Sequence, residues 1–333
     1  MILHPAILAL TTGSFLVLGM IAYAAWWGWQ VIGGWDLQSG SERQLLLEKK
    51  TYLVSTLMIY ALAFEILSFF LLVYVADDLH RLFVGAMCAA GTLNVNEYGY
   101  PAVALKVLNC VLAGMWLVLN HVDSRAVDYP LIRRKYTLLL VILPLAAVEV
   151  YYQAVYFLNL KADVITSCCG SLFSADETGV GAGLAGLPIG PTAAAFAAVL
   201  AAALLSGAAG LWTRRWTRVL AVSGTLALPV SVAALISFIA LYFYELPTHH
   251  CPFCILQREY GYVGYLIYAT LLGGGIAAAG SWVLIPHAQV ASLQCELPRI
   301  HRRLAATTAI AYGLFALVVG SRIWFSELSL VGQ

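Results

Sequence analysis

The most informative shortage in this sequence is charge. Only 11% of the 333 residues are Asp, Glu, Lys or Arg, whereas soluble proteins carry about 25%. No basic stripe and no known reader motif occurs, so we expect no nucleic-acid partner. Apolar residues take the place of the missing charge, at 62% of the chain and a mean hydropathy of +0.85. This composition predicts an integral membrane protein whose immediate partner is the lipid bilayer.

Several cofactor motifs are also missing. The sequence holds no Walker A motif and no dinucleotide fingerprint, so we expect no nucleotide. It holds no C-x-x-C-H motif for attaching haem. The histidines fall at predicted helix ends or in loops, rather than mid-membrane where a bis-histidine haem would need them: His4, His80, His121, His249, His250, His287 and His301. We therefore expect no haem.

Long apolar runs predict an all-α, polytopic membrane protein with about eight transmembrane helices. The predicted spans are Ile7–Val31, Tyr52–Val75, Pro101–Leu119, Tyr136–Leu158, Thr192–Trp212, Val219–Tyr244, Cys254–Ile285 and Leu304–Trp324. The first ten residues hold no Lys or Arg, so we expect the first span to be retained rather than cleaved as a signal. We predict an N-terminal four-helix half at 1–160, an outer cysteine-bearing loop at 161–190 and a C-terminal four-helix half at 191–333.

Lysine and arginine concentrate in alternate loops. The loops after predicted helices one, three, five and seven hold 13 of the 18 cations. The positive-inside rule then places these loops in the cytoplasm and both termini outside. Cys110 falls within helix three and Cys295 in the cytoplasm. The other five cysteines fall on the outer side, where disulfides persist: Cys88, Cys168, Cys169, Cys251 and Cys254.

The run from His249 to Arg258 carries the clearest chemical signal, a C-x-x-C pair where a polar loop meets an apolar span. Pro252 suits the first turn of a helix, because its missing N–H has no partner to lose there. A helix that starts at this point puts Cys251, Cys254 and Arg258 on one face. Its positive N-terminal dipole and a buried arginine cation would both favour thiolate. The pattern predicts a redox-active dithiol, and a structural disulfide that pins a short loop is the alternative.

Two other interpretations of these residues stay open. His249, His250, Cys251 and Cys254 could bind copper(I) or zinc, because thiolate and imidazole are ligands that both metals accept. The chain would then be a membrane metal-binding or transport protein. Alternatively, it is a non-catalytic anchor subunit of a larger membrane complex, with its outer loops braced by disulfides.

The motif Cys-Pro-Phe-Cys-Ile-Leu-Gln-Arg, which begins at Cys251, resembles that of the disulfide bond formation protein B family. Members of this family are quinone-linked thiol oxidases of the bacterial inner membrane. The match extends over about residues 241–275. The resemblance implies a multi-pass protein of the bacterial inner (cytoplasmic) membrane. It also implies a quinone cofactor beside Gln257 and Arg258, with Cys251 and Cys254 as the quinone-facing pair.

A relay of this kind needs a second cysteine pair, and here that pair must precede the C-x-x-C, an order similar to the vitamin K epoxide reductase family. The candidates are Cys88, Cys168 and Cys169. Cys168 and Cys169 could form a strained vicinal disulfide, or one of them could pair with Cys88. As a shuttle they would exchange with an extracytoplasmic thioredoxin-like or cysteine-containing protein, and as a static bridge they would only tie loops together. Five outer cysteines leave one free or paired with another chain.

The sequence therefore suggests a membrane thiol–disulfide oxidoreductase that connects an extracytoplasmic thiol partner with a membrane quinone, in either direction of electron flow. Glu65 lies near the middle of predicted helix two, Glu149 past the middle of helix four, and Lys106 a turn or two inside helix three. Charges within a bilayer are costly and mark candidate functional sites. An ion pair that holds helices together and a proton path to a quinone are both compatible with these positions.

Overall fold

The computed structural model describes residues 4–161, 164–166 and 180–328. Eight helices in these ranges are long and apolar enough to cross a membrane. They are α1 (Pro5–Gly34), α2 (Glu42–Asp78), α3 (Gly99–Asp123), α4 (Ile132–Leu158), α5 (Ile189–Gly210), α6 (Thr217–Ala234, a π-helical turn at Leu235–Ile239, then Ala240–Tyr244), α7 (Val263–Leu284) and α8 (Leu297–Phe325). No strand occurs within the described ranges. The predicted class, an all-α polytopic membrane protein, is confirmed.

Helix α2 is longer than the apolar run that predicted it. It begins at Glu42 rather than Tyr52, because the Ser41 hydroxyl caps its first turn by accepting a hydrogen bond from the Gln44 N–H at 3.3 Å. Its 37 residues extend about 55 Å at 1.5 Å per residue, whereas a hydrocarbon core is about 30 Å thick. The polar first turns of α2, predicted as loop, therefore extend beyond the apolar layer as helix.

The eight helices contact one another as two rings of four. Helices α1, α2, α3 and α4 pack in this order, and α4 closes the first ring against α1. Helices α5, α6, α7 and α8 repeat the order, and α8 closes the second ring against α5. The segment predicted to separate two halves, 161–190, is described only in part, so the division into domains stays a prediction.

The two rings meet through their third helices, α3 and α7. A Cβ atom added to Gly114 of α3 would lie 2.3 Å from Ile276 Cγ2 of α7. A Cβ atom added to Gly280 of α7 would lie 2.9 Å from Val118 Cγ2 of α3. Small residues allow helix backbones to approach closely in membranes, where packing contacts drive association. These two glycines therefore set the distance between the rings.

One end of the bundle holds most of the predicted site residues. We call it the cysteine end, and define it as the end at which α2 and α6 finish and α3 and α7 begin. A non-spanning segment leads into each third helix there, 79–98 before α3 and 245–262 before α7. The first segment contains Cys88 and the second contains the C-x-x-C pair. The prediction that the seventh span starts at about Cys254 is wrong, because α7 begins at Val263.

We expect Gly114→Ala to destabilise the protein by about 1–3 kcal/mol, because the new methyl group overpacks the α3–α7 contact. Gly273→Ala in α7 is the matched control, since its Cβ would meet no atom within 4 Å. The control should be neutral or slightly stabilising, by up to about 1 kcal/mol from helix propensity. Unfolding in detergent measures both, and equal stability of the two variants would contradict this account of the interface.

Candidate functional site

Three cysteines from the two segments of the cysteine end converge on one point. Cys88 Sγ and Cys251 Sγ lie 3.6 Å apart, and together with Cys254 Sγ they all lie within 4.8 Å of one another. A sulfur–sulfur bond is about 2.05 Å long, so Cys88 and Cys251 touch without being bonded to each other. The three residues are buried, with relative exposures of 0%, 0% and 5%. The structure thus brings together three of the cysteines that the sequence identified as candidates.

The C-x-x-C pair lies in an irregular segment and not at a helix start. Cys254–Leu256 and Arg258–Tyr260 form two short 3-10 turns, with Gln257 extended between them. Gly261 and Tyr262 then adopt left-handed backbone conformations, with φ values of 63° and 57°. The dipole of α7 starts only after these residues. The predicted activation of the cysteine pair by a helix N-terminus is therefore wrong.

Two tyrosine hydroxyls, from the buried Tyr244 and the partly buried Tyr268, supply the hydrogen bonds that a helix would have provided. The hydroxyl of Tyr244 at the end of α6 donates to the Cys251 carbonyl at 2.6 Å and accepts from the Ile255 N–H at 3.0 Å. The hydroxyl of Tyr268 in α7 donates to the Pro252 carbonyl. Buried backbone groups need such partners, because no water replaces them. The two hydroxyls therefore fix the shape of the loop that carries the cysteine pair.

Hydrogen bonds on both sides of Cys88 hold it against the C-x-x-C segment. The Gln257 side chain donates from Nε2 to the Met87 carbonyl at 2.5 Å. The Ala89 N–H donates to Asp77 Oδ1 at 3.1 Å, at the start of the short helix Ala89–Leu93. Gln257, which the sequence suggests as a quinone neighbour, thus ties the two cysteine segments together. Its contact with a quinone stays a prediction.

Thr166 anchors the long loop to the Cys88 segment. Its N–H donates to the Val84 carbonyl at 3.0 Å, and its hydroxyl donates to the Gly91 carbonyl at 2.9 Å. Cys168 and Cys169, the predicted shuttle pair, lie outside the described residues. Their place in the relay stays a prediction. Thr166, the last described residue before them, is hydrogen-bonded to Val84 and Gly91, which lie on either side of Cys88 in sequence.

The two histidines before the C-x-x-C pair have different surroundings. His249 Nε2 lies 3.4 Å from Cys254 Sγ, and the His249 ring packs edge-on against Tyr244 with centroids 4.4 Å apart. His250 Nδ1 lies 2.9 Å from the Ile236 carbonyl, in the π-helical turn of α6. His249 is therefore positioned to exchange a proton with the cysteine cluster, whereas His250 is engaged by the backbone of α6.

Arg258 does not supply the expected buried cation, because its side chain is exposed. That expectation is wrong, while the role of Arg258 beside a quinone stays a prediction. The two other described cysteines lie apart from the cluster. Cys110 is buried in α3, with its sulfur 3.8 Å from the Glu65 carbonyl oxygen, and Cys295 is exposed before α8.

Sequence reasoning missed the roles of Asp77, Tyr244 and Tyr268. A side chain that bonds the backbone of a distant segment leaves no periodic pattern along the chain. The available signal is indirect: a non-helical loop between two spans needs hydrogen-bond donors and acceptors from its neighbours. Tyr244, at the end of the span before the loop, meets that requirement by position alone.

Comparison with family models, curated proteins and solved structures gives no match to this chain. The resemblance of the C-x-x-C motif to quinone-linked thiol oxidases therefore stays a prediction.

We expect Tyr244→Phe to lower the unfolding free energy by about 1–3 kcal/mol, because it leaves the buried Ile255 N–H and Cys251 carbonyl without a partner. Native-state maleimide labelling of the reduced protein should also become faster at the cysteine cluster. Tyr262→Phe, at an exposed tyrosine near the same loop, is the control and should change neither quantity. Unchanged labelling in Tyr244→Phe would show that this hydroxyl does not hold the loop.

Proposed function

We propose that the chain is a membrane thiol–disulfide oxidoreductase that passes electrons between an extracytoplasmic thiol partner and a membrane quinone. The 3.6 Å contact between Cys88 Sγ and Cys251 Sγ is the observation that carries this proposal. Disulfide exchange proceeds by attack of one sulfur on another, and reacting atoms at about 3–3.5 Å are near an attack geometry. The two cysteines are 163 positions apart in sequence. Their contact therefore joins two separate segments, unlike a structural disulfide that pins one short loop.

In the proposed exchange, the Cys88 thiolate attacks the Cys251 sulfur of a Cys251–Cys254 disulfide. A Cys88–Cys251 bond forms, the Cys251–Cys254 bond breaks, and Cys254 leaves as a thiolate. Cys168 or Cys169 then attacks Cys88 and releases Cys251 as a thiolate. Two electrons have then moved from the loop pair to the C-x-x-C pair. A thioredoxin-like or other cysteine-containing outer protein reduces the loop pair again through its own dithiol.

His249 is the acid–base group of this proposal. Its Nε2 lies 3.4 Å from Cys254 Sγ, within reach of a sulfur hydrogen bond. An imidazolium beside a leaving thiolate stabilises its negative charge, and the neutral imidazole can remove the thiol proton in the reverse step. The cluster therefore has a group that stabilises the thiolate without relying on Arg258 or on a helix dipole.

The second half of the proposed reaction returns the C-x-x-C pair to its disulfide. The Cys251 and Cys254 dithiol gives two electrons and two protons to a quinone, which becomes a quinol. Arg258, with its exposed side chain, is accessible to a quinone that approaches from the lipid. The opposite direction, from quinol to an outer disulfide, uses the same sulfur contacts.

We further propose that the protein resides in a bacterial inner membrane with the cysteine end outside. Thirteen of the 18 cations lie near the opposite end, at the starts of α2, α4, α6 and α8 and in the loops before them. This asymmetry is the pattern that the positive-inside rule associates with the cytoplasmic face. On the outer side a disulfide at the cluster would persist.

A quinone-reduction assay on the full chain in lipid vesicles tests the redox proposal. We supply dithiothreitol as the dithiol and follow a short-chain benzoquinone or naphthoquinone by its absorbance. Cys88→Ser, Cys251→Ser and Cys254→Ser should each fall to the uncatalysed rate, because each removes a sulfur that the exchange requires. His249→Asn should slow the reaction on the order of 100-fold, a typical general acid–base contribution.

Cys110→Ser and Cys295→Ser are the matched controls, since both replace a cysteine outside the cluster. Both should keep the activity of the unmodified chain. Full activity in Cys254→Ser would contradict the relay and favour an anchor subunit braced by disulfides.

A metal-binding function is the second candidate, favoured by three sulfurs that lie within 4.8 Å of one another. Zinc–thiolate bonds of about 2.3 Å place tetrahedral ligand sulfurs about 3.8 Å apart, close to the Cys88–Cys251 spacing. Elemental analysis of the chain purified from metal-replete cells separates the two functions. The redox proposal predicts far less than one zinc or copper per chain. A stoichiometric ion that disappears in Cys88→Ser would favour metal binding.

A further inference from the structure

A second polar cluster lies inside the spanning part of the first ring. Lys106 Nζ of α3 lies 2.6 Å from Glu149 Oε1 of α4 and 3.2 Å from Glu65 Oε1 of α2. Asn109 donates from Nδ2 to Glu149 Oε2 at 2.9 Å. The relative exposures of Glu65, Lys106, Asn109 and Glu149 are 3%, 0%, 1% and 1%. The lysine thus joins both of the glutamates that the sequence placed inside the bilayer.

The hydrogen bonds are divided unequally between the two carboxyl groups. Both oxygens of Glu149 have a donor, from Lys106 and Asn109. Glu65 has only the 3.2 Å ion pair between its Oε1 and the Lys106 ammonium, which it shares with Glu149. A buried carboxylate whose one cation is shared with a second acid is poorly compensated, whereas a protonated carboxyl is neutral and itself donates. Glu65 is therefore the member of the cluster that best accommodates a proton.

The net charge of the cluster also indicates that Glu65 takes up a proton. Two carboxylates and one ammonium leave one uncompensated negative charge in a low-dielectric interior, and one added proton removes it. Lys106 and Glu149 are the charged groups that act on Glu65 among the described residues. Cys110 of α3 contacts the Glu65 backbone and is uncharged as a thiol. These neighbours offer no second cation to balance Glu65.

A second buried ion pair in the same ring shows the contrast. Lys135 Nζ lies 2.9 Å from Asp123 Oδ2 and also donates to Asn120 at 3.1 Å and Ser55 at 3.2 Å. Asp123 Oδ1 accepts from the Leu131 N–H at 2.8 Å. One acid is matched by one base there, so this pair is neutral without any added proton.

We propose that Glu65, Lys106 and Glu149 form a proton-binding site inside the membrane, in which Lys106 and Glu149 remain an ion pair and Glu65 carries one exchangeable proton. Binding adds the proton to the Glu65 carboxylate and gives a neutral carboxyl group, and release restores the anion. The site is separate from the cysteine cluster and does not rest on the redox proposal.

Infrared spectroscopy of the full chain in lipid vesicles tests this site, because the C=O stretch of a protonated carboxyl differs from that of a carboxylate. The unmodified chain at neutral pH should show this band, with a shift in D₂O, and Glu65→Gln should lose it. Glu149→Gln should lose it as well, because Lys106 then pairs with Glu65 and the cluster is neutral without a proton. Glu42→Gln, at an exposed position, is the control and should keep the band. Absence of the band from the unmodified chain, or its persistence in Glu65→Gln, would overturn the proposal.

Labelling with dicyclohexylcarbodiimide gives a second readout that needs no variant. This apolar reagent enters membranes and modifies protonated carboxyl groups, and peptide mapping locates the product. Label should appear at Glu65 and not at Asp123, where one acid is matched by one base. Label at Asp123 to the same extent would contradict the charge argument. Protection of Glu65 by sodium ions at constant pH would also overturn the proposal, and would indicate a sodium site instead.

Discussion

The contact between Cys88 and Cys251 depends on the packing of α3 against α7. Each cysteine belongs to the segment that leads into the third helix of its own ring, so their sulfurs meet only if those two helices run side by side. Gly114 and Gly280 permit that approach, since a side chain at either position would collide with the facing helix. The packing of two rings in the membrane is thus a condition for the chemistry at their shared end.

A second constraint is the irregular backbone around the cysteines. A helix would have satisfied its own hydrogen bonds but would have held the C-x-x-C pair rigidly. The loop between α6 and α7 instead takes its hydrogen bonds from Tyr244 and Tyr268, and the Cys88 segment takes its own from Asp77 and Gln257. Exchange requires sulfurs in contact to move into bonding distance, and loops held by a few side-chain hydrogen bonds can make such a movement.

The sequence is sufficient for the class of the fold and the number of spans, because hydropathy along the chain is a local property. It was insufficient for the site. Proline and cysteine spacing predicted a helix from Cys254, but side chains from α6 and α7 bind the backbone there and the helix starts at Val263. The contact between Cys88 and Cys251 depends on which helices pack together. The periodicity of apolar residues along the sequence does not encode that packing. The sequence suggests an ion pair of Lys106 with Glu65 or Glu149, whereas the structure places Lys106 against both.

Disulfide mapping in the triple variant Cys168→Ser, Cys169→Ser, Cys254→Ser tests the central claim most directly. In this variant neither the C-x-x-C pair nor the long loop can capture Cys251 or Cys88. Mild oxidation in lipid vesicles, followed by blocking of thiols and mass spectrometry of peptides, should give Cys88 bonded to Cys251 as the main product. Recovery of both cysteines as separately blocked thiols, with no linked peptide, would contradict the proposed exchange between the two rings.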